Sequence, residues 1–185
     1  MNDKGNLIVI SGPSGVGKGP VCDILLKSCK NLALSISATT RAPRDIDAEG
    51  VTYYFKTKQE FENMIKQNKF LEWAKYNDNY YGTPLEPVRE KLKQGTNVLL
   101  EIDVQGALNV KKICPDAVYI FIAPPDIETL HKRLNNRGTE TQEEIKRRID
   151  SADAELMQQD KYDYVVINDN LDDAVKEIEN IINGN

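Results

Sequence analysis

The segment Leu7–Ser11 runs straight into Gly12-Pro13-Ser14-Gly15-Val16-Gly17-Lys18, and a helical pattern with Val21, Ile24 and Leu25 follows. Strand, glycine loop and helix in this order, with G-x-x-x-x-G-K spacing, constrain the fold more than any other feature of the chain. Glycines are needed because the backbone must curl tightly and aim its N–H groups inward at phosphate oxygens. The helix N-terminus adds partial positive charge, and Lys18 supplies a full charge between terminal phosphates. A plain glycine-rich turn would account for the glycines, but not for a lysine at this place between strand and helix. The loop therefore points to nucleotide binding through Gly12, Pro13, Ser14, Gly15, Val16, Gly17, Lys18 and Gly19, without naming a reaction. One position departs from the pattern: Ser or Thr should follow Lys18, and Gly19-Pro20 stands there instead.

Further short apolar runs at Val98–Ile102, Val118–Ala123 and Tyr164–Ile167, with Leu32–Ile36 as a plausible fifth, read as strands. They are continuous rather than alternating, as expected of parallel strands covered on both faces. Leu171, Ala174, Val175, Ile178, Ile181 and Ile182 repeat with a helical period. The fold class expected is α/β, a single domain with a parallel central sheet flanked by helices and right-handed crossovers. Two polar stretches interrupt the alternation. Residues 38–88 are rich in Tyr and Pro and carry one short helix, with capping-box spacing at Thr57 and Glu60. Residues 124–160 are rich in Arg, Glu and Gln. Asp126 can cap one helix there, Thr141 with Glu144 can form a second capping box, and Arg137-Gly138-Thr139 reads as a turn. The organisation expected is a core of about 1–37, 89–123 and 161–185, a lobe of about 38–88 and a lid of about 124–160.

Asp and Glu (29) outnumber Lys and Arg (24), for a net charge of −5. That balance argues against a nucleic-acid or membrane partner, so an anionic ligand must be drawn by a local basic cluster. Cys22, Cys29 and Cys114 form no C-x-x-C pair, and the polar start Met1–Asn6 precedes only a short apolar run. A reduced, cytoplasmic setting is expected. His131 is the only histidine, which rules out a His-based catalytic triad; it is expected to be solvated.

The remaining motifs occur in a fixed order. Ser37-Ala38-Thr39-Thr40-Arg41-Ala42-Pro43-Arg44 comes first, followed by Gly50–Phe55, Phe70-Leu71-Glu72-Trp73 and Asn79–Pro84. Glu101–Gly106, Ile122–Pro125, Arg137–Thr141 and Val166–Asp169 complete the set. Over nearly the whole chain this set closely resembles guanylate kinases, which transfer a phosphoryl group from ATP to GMP with Mg²⁺. The resemblance assigns the GMP phosphate to Arg41, Arg44, Tyr53 and Tyr81. Guanidinium forks and phenol donors suit phosphate oxygens, although alone such residues are usually a solvated turn and packing tyrosines. It assigns guanine to Glu72, Ser37, Thr83 and Asp103, with Asp103 also fitting a helix N-cap. A carboxylate at Glu72 can accept from guanine N1–H and the 2-amino group together, and adenine has no equivalent edge. The ATP side is assigned Arg133, Arg137 and Asn168 besides the loop, with a turn asparagine as the competing reading of Asn168. Lys18, Arg41, Arg137 and Arg148 are the expected catalytic residues. Arg147 points about 100° from Arg148 and reads as a helix-surface residue.

No general base is required, because a phosphate oxygen of GMP, largely ionised near neutral pH, is the nucleophile. Catalysis would be alignment and charge neutralisation, with Mg²⁺ arriving with ATP and no protein metal ligand assigned. The alternative is a catalytically weakened guanylate-kinase-like interaction module, which only Gly19-Pro20 favours. Another P-loop hydrolase or kinase would not account for Glu72 together with Arg41 and Arg44.

Overall fold

The computed structural model describes residues 4–76, 78–135 and 142–184. Arg137 and the turn expected at Arg137–Thr139 lie outside the described residues, as does Thr141 of the second capping box.

Five strands form a parallel sheet in the order β2 (Leu32–Leu34), β7 (Asn97–Glu101), β1 (Leu7–Ser11), β8 (Val118–Ala123), β9 (Tyr164–Ile167). The strand that feeds the glycine loop is central, hydrogen-bonded to β7 on one side and β8 on the other. Its side chains alternate between two cores. Ile8 and Ile10 pack with Val21, Cys22 and Leu25 of α1 (Lys18–Ser28) and with Ala174, Val175 and Ile178 of α7 (Leu171–Asn183). Leu7 and Val9 pack on the other face with Val88 of α3 (Leu85–Lys93) and Val104, Ala107 and Val110 of α4 (Val104–Ile113). All five residues of β1 are buried, which is why Leu7–Ile10 reads as a continuous apolar run; β9 departs from the expectation of strands covered on both faces, because it lies at the sheet edge and only Val166 of its four residues is buried.

The 38–88 stretch holds more than one helix. Four short strands form a second sheet in the order β4 (Tyr54–Phe55), β3 (Ala38–Thr39), β6 (Asn79–Pro84), β5 (Phe70–Tyr76). Two of these strands have only two residues, and the others mix Tyr with charged or polar residues, so no apolar run marks them. Helix α2 (Lys58–Lys66) has both reciprocal bonds of the Thr57–Glu60 capping box. Its Phe61 stacks on Phe70 and Tyr80, with ring centroids 4.3 and 5.3 Å apart, giving this sheet its own small aromatic core.

In the 124–160 stretch, α5 (Ile127–Asn135) and α6 (Gln142–Leu156) pack through Leu130, Leu134 and Ala152. Asp126 caps α5 by accepting the Thr129 N–H at 2.7 Å. His131 is not fully solvated as expected but partly exposed and paired: its Nε2 lies 2.9 Å from Asp153 Oδ1, tying α5 to α6. Leu156 borders both this small core and the main one under α4.

Candidate active site

The loop between β1 and α1 has the curl its glycines imply. Gly12 has φ 147°, and a Cβ there would run into the Ile122 carbonyl. Gly17 has φ 94°, and a Cβ would lie 2.6 Å from Asn168 Nδ2. That amide donates to the buried Val16 carbonyl at 2.8 Å. The Asn168 carbonyl accepts from both terminal nitrogens of Arg133 at 3.3 Å, and its N–H donates to the Ala123 carbonyl. Asn168 and Arg133, both expected at the ATP site, thus meet at the end of β9 and brace the loop from behind.

Lys18 folds back over the loop, donating to the carbonyls of Gly12 at 2.6 Å and Pro13 at 3.1 Å. Burial lowers its pKa, against the pull of Glu101, Glu155 and Asp103. Arg148 on α6 donates to Ser14 Oγ at 3.1 Å, so this helix touches the glycine loop directly. Arg147 instead turns back to the Glu143 carbonyl of its own helix. Pro20 occupies the first turn of α1, whose first described backbone bond runs from Val21 N–H to the Gly17 carbonyl. An N–H at position 20 would have no intrahelical partner, so the proline costs the helix no hydrogen bond.

Beside the loop, a cleft of about 170 Å³ is lined by Ser37, Tyr53, Glu72, Tyr81, Glu101 and Asp103, among others. Residues from both sheets converge there. Glu72 follows an irregularity in the β5–β6 register between Phe70 and Glu72. Such bulges re-aim side chains. Thr83 Oγ1 donates to Glu72 Oε1 at 2.7 Å. Burial pushes the Glu72 carboxyl above its ordinary range; the Thr83 bond opposes this and the nearby Asp103 charge adds to it. Asp103 caps α4 by accepting the Gly106 N–H at 2.6 Å, the N-cap that the sequence allows, and it also lines the cleft.

Arg41 lies next to the cleft without lining it. Its guanidinium lies 5.4 Å from the Tyr53 ring centre, and Tyr53 meets Tyr81 edge-on at 6.1 Å. Arg44 lies on the exposed turn that follows. Of the GMP-side residues expected from the sequence, Ser37, Tyr53, Glu72, Tyr81 and Asp103 line this one cleft, Thr83 and Arg41 adjoin it through Glu72 and Tyr53, and Arg44 is not brought to it: its backbone is bonded to Asp47, outside the lining. Glu101 was missed. It is two residues before Asp103 at the end of β7, and its Oε1 would lie 3.8 Å from a Cβ at Gly19. Burial raises its carboxyl pKa and Lys18 lowers it. Its place at the carboxyl end of a core strand, where α/β folds bind ligands, was the available signal.

A larger cleft of about 820 Å³ lies between α4 and α6, lined by Leu108, Lys111, Ala154 and Gln158 among others. It contains none of the expected substrate residues, although Glu155, whose charge acts on Lys18, lines it. Among the described residues, no group of three or more His, Cys, Asp or Glu is arranged to hold a metal ion. No helix among them is long and apolar enough to cross a membrane.

A glycine loop after the central strand of a parallel sheet, with a polar cleft beside it, places the chain among α/β proteins of the P-loop class. The family model "Guanylate kinase" matches residues 4–185. A guanylate kinase of Caldanaerobacter subterraneus subsp. tengcongensis is 55% identical over 182 residues, covering 98% of this chain and 88% of that protein. One from Rickettsia felis is 53% identical, covering 98% and 95%. The crystal structure of guanylate kinase from Anaplasma phagocytophilum superposes with a TM-score of 0.77 at 30% identity, covering 100% of this chain and 87% of that one. The chain belongs to the guanylate kinase family. The SH3-kinase fragment of tight junction protein 3 shares the fold, with a TM-score of 0.51 at 10% identity; at that identity the likeness concerns architecture only.

Proposed function

We propose a division of labour for the phosphoryl transfer from ATP to GMP that a guanylate kinase catalyses. The carrying observation is the convergence of Ser37, Tyr53, Glu72, Tyr81 and Asp103 on one cleft next to the glycine loop. Guanine is read by Glu72, held by Thr83, with Ser37 and Asp103 beside it. The GMP phosphate is held by Arg41 and Arg44 with the hydroxyls of Tyr53 and Tyr81. ATP phosphates lie in the loop from Gly12 to Gly19, with Lys18 exchanging its contacts to the Gly12 and Pro13 carbonyls for phosphate oxygens. Asn168 and Arg133 shape that loop, and Arg148 and Arg137 neutralise charge on the moving phosphoryl group from the lid.

The donor set fits a metal brought in by ATP rather than a resident ion. Gly19-Pro20 offers no hydroxyl, and Glu101 and Asp103 are carboxylates beside the loop, suited to holding the metal's waters. Mg²⁺ bound to ATP supplies charge neutralisation of the phosphates. The protein's part is alignment of the attacking GMP oxygen and exclusion of water, which the sheet 38–84 and the lid helices would complete by closing on the substrates. A cytoplasmic location agrees with nucleotide substrates and three free cysteines.

Steady-state kinetics on Arg44→Ala test the phosphate assignment. The KM for GMP should rise roughly 10- to 100-fold, the size of one lost charge-assisted contact, with the KM for ATP unchanged. A raised KM for ATP with GMP use intact would sink it.

A further inference from the structure

We propose that Asp47 is a positioning residue for the GMP phosphate, acting through the two arginines on either side of Pro43. This rests on the reading that Arg41 and Arg44 hold that phosphate. One carboxylate oxygen of Asp47, Oδ2, takes two donors at once. Arg41 Nη2 lies 2.9 Å from it, and the backbone N–H of Arg44 donates to it at 2.7 Å. The Asp47 N–H in turn donates to the Arg44 carbonyl at 2.9 Å. Residue 47 thus closes the Arg44–Asp47 turn from both ends and fastens the Arg41 side chain to it.

The other contacts of Arg41 complete the brace. Nη1 donates to the Ala42 carbonyl at 2.9 Å. The Arg41 N–H donates to Thr39 Oγ1 at 3.1 Å, and Thr39 is itself buried and bonded to the Tyr80 carbonyl. The guanidinium lies beside the ring of Tyr53, which lines the cleft. A long, charged side chain that would otherwise sample many rotamers is therefore held in one place before the substrate arrives. Pre-ordering of this kind removes an entropic cost from binding.

The same carboxylate could be read as a rival that fills the phosphate position until GMP displaces it. The geometry favours the brace. Asp47 does not line the cleft, and its carboxylate is bonded within its own turn. The two readings predict opposite signs. With the brace, removing the charge weakens GMP binding; with the rival, it strengthens it.

The test compares Asp47→Asn, Asp47→Glu, Arg41→Ala and the Asp47→Asn/Arg41→Ala double variant, with KM measured for GMP and ATP separately. Asp47→Asn should raise the KM for GMP on the order of fivefold, in the range of a partly exposed ion pair, and leave the KM for ATP unchanged. Asp47→Glu should recover part of the loss. In the Arg41→Ala background the Asn substitution should add less than it does alone, because its effect runs through Arg41. An unchanged or lower KM for GMP in Asp47→Asn, with Arg41→Ala still impaired, would overturn this proposal and leave the phosphate assignment standing. An equal rise in both KM values would reduce Asp47 to a structural residue and overturn it too. No effect of Arg41→Ala on GMP would remove the assignment beneath it.

Discussion

Asn168 gives the sharpest mutational forecast, because its side chain has one described hydrogen bond. Its Nδ2 donates to the Val16 carbonyl at 2.8 Å in a buried setting, while its backbone separately serves Arg133 and Ala123. Asn168→Ala removes the amide and leaves those backbone bonds in place. The Val16 carbonyl then loses its donor, which costs about 1–3 kcal/mol when the group stays buried. For a chain of this size, 1 kcal/mol moves Tm by about 2–4 °C, so the expected drop is about 2–12 °C. The carbonyl belongs to the phosphate loop between Gly15 and Gly17, so loosening it should raise the KM for ATP on the order of tenfold. Asn168→Asp separates shape from hydrogen bonding. It keeps the volume but presents a carboxylate oxygen to a carbonyl oxygen, so it should be less stable than the Ala variant at neutral pH. Its deficit should shrink as pH falls, because a protonated carboxyl can donate to Val16. Thermal melts from about pH 5 to 8 and ATP titrations on both variants decide the matter. If Asn168→Asp melts like the unsubstituted protein and binds ATP equally well, the brace has no energetic weight and the reasoning fails.

Two further expectations concern the site's charges and the missing hydroxyl. A half-buried Glu72 with a raised pKa is easier to protonate in the folded chain than in the unfolded one, so its ionisation opposes folding as pH rises through that pKa. Glu72→Gln should therefore raise Tm at neutral pH. In the unsubstituted protein, GMP affinity should begin to fall at a higher pH on acidification than an ordinary glutamate would give; melts and GMP calorimetry against pH check both. A Cβ at Gly19 would meet nothing closer than Glu101 Oε1 at 3.8 Å, so Gly19→Ser should be accommodated, and Pro20→Thr removes no hydrogen bond from the helix. Each should lower the KM for ATP, or the Mg²⁺ concentration needed for half-maximal rate, while the KM for GMP barely moves. No gain in either would mean that the loop backbone and Lys18 suffice.

The parts legible in the sequence are those set by local pattern. The inner strands β1, β7 and β8 are largely apolar because both sheet faces are covered there, which the edge strand β9 does not share; the glycine loop, the α2 capping box and the apolar face of α7 are each written in residues close together in the chain. The second sheet was not legible. Its strands are short, two of them with only two residues, and Glu72 is aimed by a bulge that no hydrophobic period marks. The contacts that organise the site were hidden for a related reason: they join residues distant in sequence. Asn168 reaches back 152 positions to Val16, and Arg148 reaches back 134 to Ser14. His131 pairs across two helices with Asp153, and a lone histidine on a polar helix carries no sign of that partner.

Glu72, a half-buried carboxylate in the cleft beside the glycine loop, is proposed to select guanine. A coupled assay with ATP and GMP or AMP, on the unsubstituted protein and on Glu72→Gln, tests it most directly. Strong preference for GMP, expressed as kcat/KM, is expected of the first. In the second the preference should shrink by roughly 10-fold or more, the loss of a charged acceptor from two guanine donors. Equal use of GMP and AMP by the unsubstituted protein, or a Glu72→Gln variant that discriminates as well as its parent, would contradict it.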